Sequence, residues 1–178
     1  MNLIEKMDIF ANAAHSAIGQ LRKYTFEPYI VHPRDVRMIL CKYSKNQISI
    51  AQEAAALGHD LIEDTHITYD LIKHEFNSDI ADYIWWLSNP SKLSDGNRAV
   101  RHQIDCEHLS KSPNEVKTIK IADIISNMSS IVEYDPNFAK VYIRESENKI
   151  IACHGADEGL MAVVSDVIDN AWHKLKMS

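Results

Sequence analysis

Glycine and proline number only five each in 178 residues, and no linker, repeat or low-complexity segment divides the chain. A single domain over residues 1–178 is therefore expected, long enough to bury about 70% of its unfolded surface. Cysteine is scarce too: Cys41, Cys106 and Cys153 are widely spaced, odd in number and free of any Cys-x-x-Cys pairing. They read as reduced thiols of a cytoplasmic protein rather than as a disulfide framework. A basic excess is missing, with 19 Lys and Arg against 25 Asp and Glu and a net charge of −6. A surface tracking the phosphates of duplex nucleic acid needs the opposite balance, whereas a small anionic ligand needs only a few clustered cations or a metal ion. No run approaches the roughly 20 apolar residues of a membrane span, and the first ten residues lack a signal-peptide core.

Alternating strand patterns are absent as well, and helical periodicity takes their place. Leu3, Ile4, Met7, Ile9, Phe10, Ala14 and Ile18 share a broad face over residues 2–19, and Val36, Ile39 and Leu40 follow within 33–43. Ser49 begins a further helix; Thr68 and Ser78 are candidate caps for helices over 68–76 and 79–88. Another helix is expected from Arg98 to Ser110, and others open at Pro113, at Asp135-Pro136 and at Ala156-Asp157, the last ending near Lys174. The fold class is all-α, a bundle of roughly eight to ten helices with no sheet of consequence.

Within this pattern the run Ala54-Ala-Ala-Leu-Gly-His59-Asp60-Leu-Ile-Glu63-Asp64-Thr65 stands out. Ionisable groups in an Ala-rich, buried-looking helix must lose their water, which requires partners. A metal ion is one such partner. On one continuous helix Glu63 stands above His59 and Asp64 above Asp60. The small residues also fit plain tight packing, and the acidic end also fits a solvated last turn; the pair alone does not decide. Its company does: His32 precedes Pro33 at the start of a helix, and Asp123 and Asn127 interrupt one face of the apolar Lys120–Asn127 segment. Two imidazoles and two carboxylates form a full ligand set for a divalent ion.

The order His32, His59-Asp60, Asp123 resembles the metal-dependent phosphohydrolase superfamily named after its His-Asp pair. Within it, Arg22-Lys23, Pro28-Tyr-Ile-Val-His32-Pro33, His59-Asp-Leu-Ile-Glu-Asp-Thr65 and Ile119-Lys-Ile-Ala-Asp123-x-x-x-Asn127 resemble the hydrolase half of RelA/SpoT-type alarmone enzymes and small alarmone hydrolases, over residues from about 10 to about 150. The resemblance implies an HD-type bundle with metal ligands His32, His59, Asp60 and Asp123, and Mn²⁺ as the ion; the donor set also accepts Fe²⁺, Co²⁺ or Mg²⁺. It implies a catalytic pair, Glu63 and Asp64, with Glu63 assigned to the water and Asp64 to the leaving oxygen, an order the sequence leaves open. It implies nucleotide contacts from Arg22, Lys23 and Asn127, with Lys140 and Arg144 one turn apart where related hydrolases contact phosphate. Arg22-Lys23 alone also fits a solvated helix end. Arg98 and Arg101 are further candidates for the entrance, and His15 reads as a hydrogen-bonded packing residue.

The implied reaction is removal of the 3′-pyrophosphate of guanosine tetra- or pentaphosphate. The partner is then a small anionic nucleotide, with neither duplex nucleic acid nor membrane, and a homodimer stays open. Two departures bear on specificity: Phe26 replaces a family glycine, restricting the backbone there, and Ser129 stands where the family often has Arg. The alternatives are a related phosphohydrolase acting on a nucleoside monophosphate, an adenosine alarmone or NADPH, and a non-catalytic nucleotide sensor.

Overall fold

The computed structural model describes residues 1–177. They form ten α-helices: α1 (Leu3–Ala17), α2 (Val31–Tyr43), α3 (Ile50–Gly58), α4 (Leu61–Asp64), α5 (Tyr69–Glu75), α6 (Ser78–Leu87), α7 (Arg98–Ser110), α8 (Asn114–Tyr134), α9 (Pro136–Ala152) and α10 (Glu158–Met177). No sheet forms among the described residues; a lone antiparallel bridge joins Leu21 to Pro28. The all-α expectation therefore holds.

Local chemistry sets most boundaries. Asn2 with Glu5, and Ser49 with Gln52, close reciprocal capping boxes at the starts of α1 and α3. Thr68 caps α5 as expected, whereas α6 is capped by Asn77, one residue ahead of Ser78. Asn97 caps α7, and Asp135 caps α9 with Pro136 in its first turn. Each such cap stabilises its helix by about 1 kcal/mol.

Helix α8 is the axis of the bundle, packing against α2, α9 and α10 and, less extensively, α3 and α6. Its buried stretch runs unbroken from Val116 to Ser126 and includes Ile119, Ile121 and Ile124. A helix buried all round offers no polar face to water, so Lys117, Lys120 and Asp123, buried within it, need partners inside the protein. Beside it lies α3, where Ala54, Ala55 and Ala56 are fully buried. A Cβ on Gly58 would fall 2.7 Å from Ile84 Cδ1 and 3.0 Å from Met7 Sδ, so α6 and α1 close directly on its backbone. The small residues thus do serve tight packing.

The structure corrects the sequence reading in one place that matters. His59 and Asp60 do not lie inside one uninterrupted helix: α3 ends at Gly58 and α4 restarts at Leu61. Gly58 is a poor helix former, and Asp60, at φ −97° and ψ 0°, occupies the bridge region favoured at turns and sites. His32, expected just ahead of its helix, instead lies in the first turn of α2.

Candidate metal centre

Three elements meet at the middle of α8. The α3–α4 break supplies His59 and Asp60, the first turn of α2 supplies His32, and the middle of α8 supplies Asp123. One donor atom from each of His32, His59 and Asp123 lies within 4.8 Å of the others. His32 Nε2 is 3.1 Å from Asp123 Oδ1, and His59 Nε2 is 3.7 Å from the same oxygen. Asp60 Oδ2 approaches His59 Nε2 to 2.9 Å and His32 Nε2 to 3.8 Å. Donors about 2.1 Å from a shared octahedral ion stand about 3 Å apart when adjacent and about 4 Å apart when opposite. The separations span that range.

Orientation supports the same conclusion. His59 Nδ1 is 2.8 Å from the Ala56 carbonyl, which can only accept, so Nδ1 carries a proton and the neutral imidazole presents its lone pair at Nε2. That Nε2 is buried and has no hydrogen-bond partner, although Asp60 lies close by. A buried polar atom without a partner is uncommon and calls for an unseen ligand. The Tyr29 hydroxyl donates to Asp60 Oδ2 at 2.6 Å, while Lys120 Nζ and Asn127 Nδ2 donate to the two oxygens of Asp123 at 2.8 and 2.7 Å. Supports of this kind fix ligand direction.

The electrostatics favour positive charge at the centre. Burial opposes a charge on His59, yet the Asp60 and then the Asp123 carboxylates outweigh it and raise its pKa to about 9. Burial likewise pushes Asp123 up, but Lys120, then His32 and His59, hold it well below the usual carboxylate range. Asp60 is held down against burial, chiefly by His59. A divalent cation answers this field with donors of the right hardness, so the residues present fit a divalent metal.

A cavity of about 240 Å³ opens from the centre, walled by Tyr29, Asn127, Tyr142, Ser146 and both acidic residues Glu63 and Asp64. Asn89 donates to Glu63 through its backbone amide at 3.2 Å and its side chain at 2.9 Å. Gln20, itself bonded to the buried His15 at 2.6 Å, donates to Asp64 at 2.8 Å. Partial burial, followed by the Asp60 charge, raises the Asp64 carboxyl above its ordinary value. A second, larger cavity of about 620 Å³ shares Glu63, Asn89, Glu145 and Lys149 with the first and adds Arg98, Arg101 and His102. Lys149 faces both, its pKa lowered by burial and then by Lys120. Arg98 is paired with Glu145 at 2.6 Å, whereas the buried Nε of Arg101 has no partner.

Of the sequence candidates, His32, His59, Asp60, Asp123, Glu63, Asp64 and Asn127 all line the first cavity or its floor. Arg22 joins that wall indirectly, donating to Asn127 Oδ1 at 3.2 Å and Ser130 Oγ at 3.3 Å. Lys23 turns aside to pair with Asp135 at 3.6 Å. Lys140 and Arg144 are exposed and line neither cavity. The reason is helical phase: Tyr142, Glu145, Ser146 and Lys149 recur at three and four residues on the inward face of α9, which turns residues 140 and 144 to the opposite side. Sequence reasoning missed Tyr29, Gln20, Asn89 and Lys149 as site residues. Tyr29, three residues before His32, and Gln20, two residues before Arg22, had local signals; Asn89 and Lys149 arrive from distant segments.

Fold and site together fit an HD-type hydrolase domain. No family model matches the chain. It is similar to the guanosine-3′,5′-bis(diphosphate) 3′-pyrophosphohydrolase of Haemophilus influenzae, at 32% identity over 146 residues, covering 78% of this chain and 20% of that protein. A protein of the same name from Xenopus tropicalis is 28% identical over 109 residues, covering 61% of this chain and 59% of its own length. The Myxococcus xanthus GTP pyrophosphokinase is 30% identical over 137 residues, 74% of this chain and 17% of its own. The chain thus spans about a fifth of the length of the two bacterial relatives. A solved structure described as a metazoan ortholog of SpoT that hydrolyses ppGpp superposes with a TM-score of 0.83 over 96% of both chains at 20% identity, a likeness of fold.

Proposed function

We propose that the chain is a divalent-metal-dependent phosphohydrolase that removes the 3′-pyrophosphate of guanosine tetra- or pentaphosphate, yielding GDP or GTP, with Mn²⁺ as the ion and Fe²⁺, Co²⁺ or Mg²⁺ as substitutes. The observation that carries this reading is the buried, partnerless Nε2 of His59 facing His32, Asp60 and Asp123 on the floor of a cavity that also holds Glu63 and Asp64. The names of the Haemophilus and Xenopus relatives supply the substrate.

A divalent ion held by His32, His59, Asp60 and Asp123 supplies Lewis acidity, which makes water a nucleophile near neutral pH. The protein's own groups do the rest. Glu63, fixed by Asn89, accepts the proton of the attacking water as a bond forms to the phosphorus carried on the ribose 3′ oxygen. Asp64, whose proton affinity is raised, gives a proton to that 3′ oxygen as its bond to phosphorus breaks. Lys149 and Arg101 in the adjoining cavity offset the remaining charge of a tetraphosphate. Asn127, tied to Arg22, lies on the nucleoside side. The chain works as one domain in the cytoplasm, and its net charge of −6 suits a small nucleotide rather than a duplex.

The test is direct. Metal-stripped protein is supplied with Mn²⁺ and incubated with guanosine tetraphosphate, with nucleoside monophosphates, with an adenosine alarmone and with NADPH, and products are resolved by anion exchange. GDP plus pyrophosphate from the first is expected; orthophosphate released only from the others would assign the site to a different phosphohydrolase. Tight guanosine tetraphosphate binding without turnover at saturating metal would make the chain a sensor.

A further inference from the structure

His32 and His59 occupy the same centre but are oriented by different means. His59 leans on a backbone carbonyl, that of Ala56. His32 leans on a side chain: its Nδ1 lies 3.1 Å from Ser126 Oγ, and the Ser126 hydroxyl lies 2.6 Å from Asp35 Oδ2. A serine has one proton to give. Given to the carboxylate, it leaves the oxygen free only to accept, so His32 Nδ1 carries the donated hydrogen, and the neutral imidazole then keeps its lone pair on Nε2, the nitrogen that faces the centre 3.1 Å from Asp123.

We infer that Asp35 is a positioning residue of the metal centre, acting through the Ser126 hydroxyl to set the tautomer, direction and donor strength of His32; this rests on the metal reading above. The chain Asp35–Ser126–His32 ends in a full negative charge, which draws electron density towards the imidazole and makes it a stronger ligand than one backed by a neutral carbonyl. Ser126 is buried in α8 beside His32, so water does not compete for the bond between them. Asp35 itself opens on the other side of the bundle, into an apolar groove between α2, α8 and α10 lined by Ile39, Tyr43, Val132, Val163 and Val167. It lines neither the cavity at the centre nor the adjoining one. A change at Asp35 therefore reaches the reaction only through the ion.

Mn²⁺ binding to metal-stripped protein, followed by calorimetry, tests this with the ion alone. Asp35→Asn and Ser126→Ala are each expected to weaken the affinity about 10–100-fold, the range for groups that support metal ligands. The double variant should bind no more weakly than Ser126→Ala alone, because the two act in series, and Ser126→Thr, which keeps the hydroxyl, should restore most of the affinity. With Mn²⁺ raised to saturation, the KM of Asp35→Asn for guanosine tetraphosphate should equal that of the wild type. Melting of the metal-free variants within a few degrees of the wild type shows that the fold is kept; if Asp35→Asn fails there, Ser126→Ala and Ser126→Thr carry the test. Wild-type affinity in both single variants, or losses that add fully in the double, would overturn the inference while leaving the metal reading intact. A wild type that binds no Mn²⁺ would overturn the metal reading itself.

Discussion

Two buried polar groups sit at opposite ends of helix-to-helix junctions and are treated in opposite ways. Asp157, before α10, accepts hydrogen bonds from the Ser44 hydroxyl, the Lys45 and Asn46 amides, the Asn46 side chain and the Gly159 and Leu160 amides, at distances from 2.8 to 3.2 Å. Every direction of the carboxylate is used, and it ties the segment after α2 to the start of α10. His59, at the α3–α4 break, is buried as deeply, yet its Nε2 meets no donor or acceptor in hydrogen-bonding geometry. One group is saturated and the other left open. A buried polar group that serves only the fold is usually satisfied by the fold; one left open beside a second imidazole and two carboxylates marks where something from outside completes the structure.

The sharpest way to break this contrast is to remove a ligand. Asp60→Ala should abolish metal binding and turnover together, and should also abolish the rise in Tm that Mn²⁺ gives the wild type, about 5–10 °C at a hundred times Kd. A Tm response retained in Asp60→Ala would mean that the ion binds elsewhere. Glu63→Gln comes next: the ion should still bind, while kcat falls roughly 10²–10⁴-fold. Full activity in that variant would remove Glu63 from the water-activating role.

The saturated end should respond in stability alone. Asp157→Ala leaves several buried donors without an acceptor and should cost about 3 kcal/mol in unfolding free energy, with Mn²⁺ affinity unchanged in the folded fraction. Burial alone would push the Asp157 carboxyl up, but the backbone amides of Lys45 and Asn46 and the Ser44 hydroxyl hold it below its ordinary value. Its contribution is therefore fully present above the usual carboxylate range and is lost as pH falls through the folded value. Denaturant melts from pH 7 to pH 3 should show that acid loss in the wild type and a shallower one in Asp157→Asn; parallel slopes would show that other carboxylates dominate.

The smallest effect is expected at Phe26. Its backbone is left-handed, with φ 58°, and its ring is 73% exposed. The loop from Leu21 to Pro28 keeps the turn that a glycine would take without strain, closed by Arg22 N to Glu27 O at 2.9 Å and Phe26 N to Arg22 O at 3.0 Å. Phe26→Gly should stabilise the protein by about 1 kcal/mol; a loss of stability would show that the ring packs usefully.

Helices were legible in the sequence because their signals are local. The Ser49 and Thr68 caps, Pro136 and three-and-four spacing all act within a few residues, and the α7 limits at Arg98 and Ser110 match the expectation. The metal residues were legible because imidazoles and carboxylates in apolar surroundings need a reason to be there. The interruption after Gly58 was not, since the spacing of His59, Asp60, Glu63 and Asp64 fits a continuous helix as well as a broken one. Neither was the true lining of α9: Lys140 and Arg144 have the right chemistry, and only the rotation of the helix against α8 selects Tyr142, Glu145, Ser146 and Lys149 instead. Asn89 and Gln20 reach Glu63 and Asp64 from segments 26 and 44 residues away, separations at which sequence carries no pattern.

The central claim is that the open Nε2 of His59 exists to hold a cation. Equilibrium dialysis of metal-stripped protein against Mn²⁺, with elemental analysis of the retained metal, tests it directly. The account predicts one ion per wild-type chain and none in folded His59→Ala at the same concentration; a wild type that retains no metal, or a His59→Ala variant that retains as much, would contradict it.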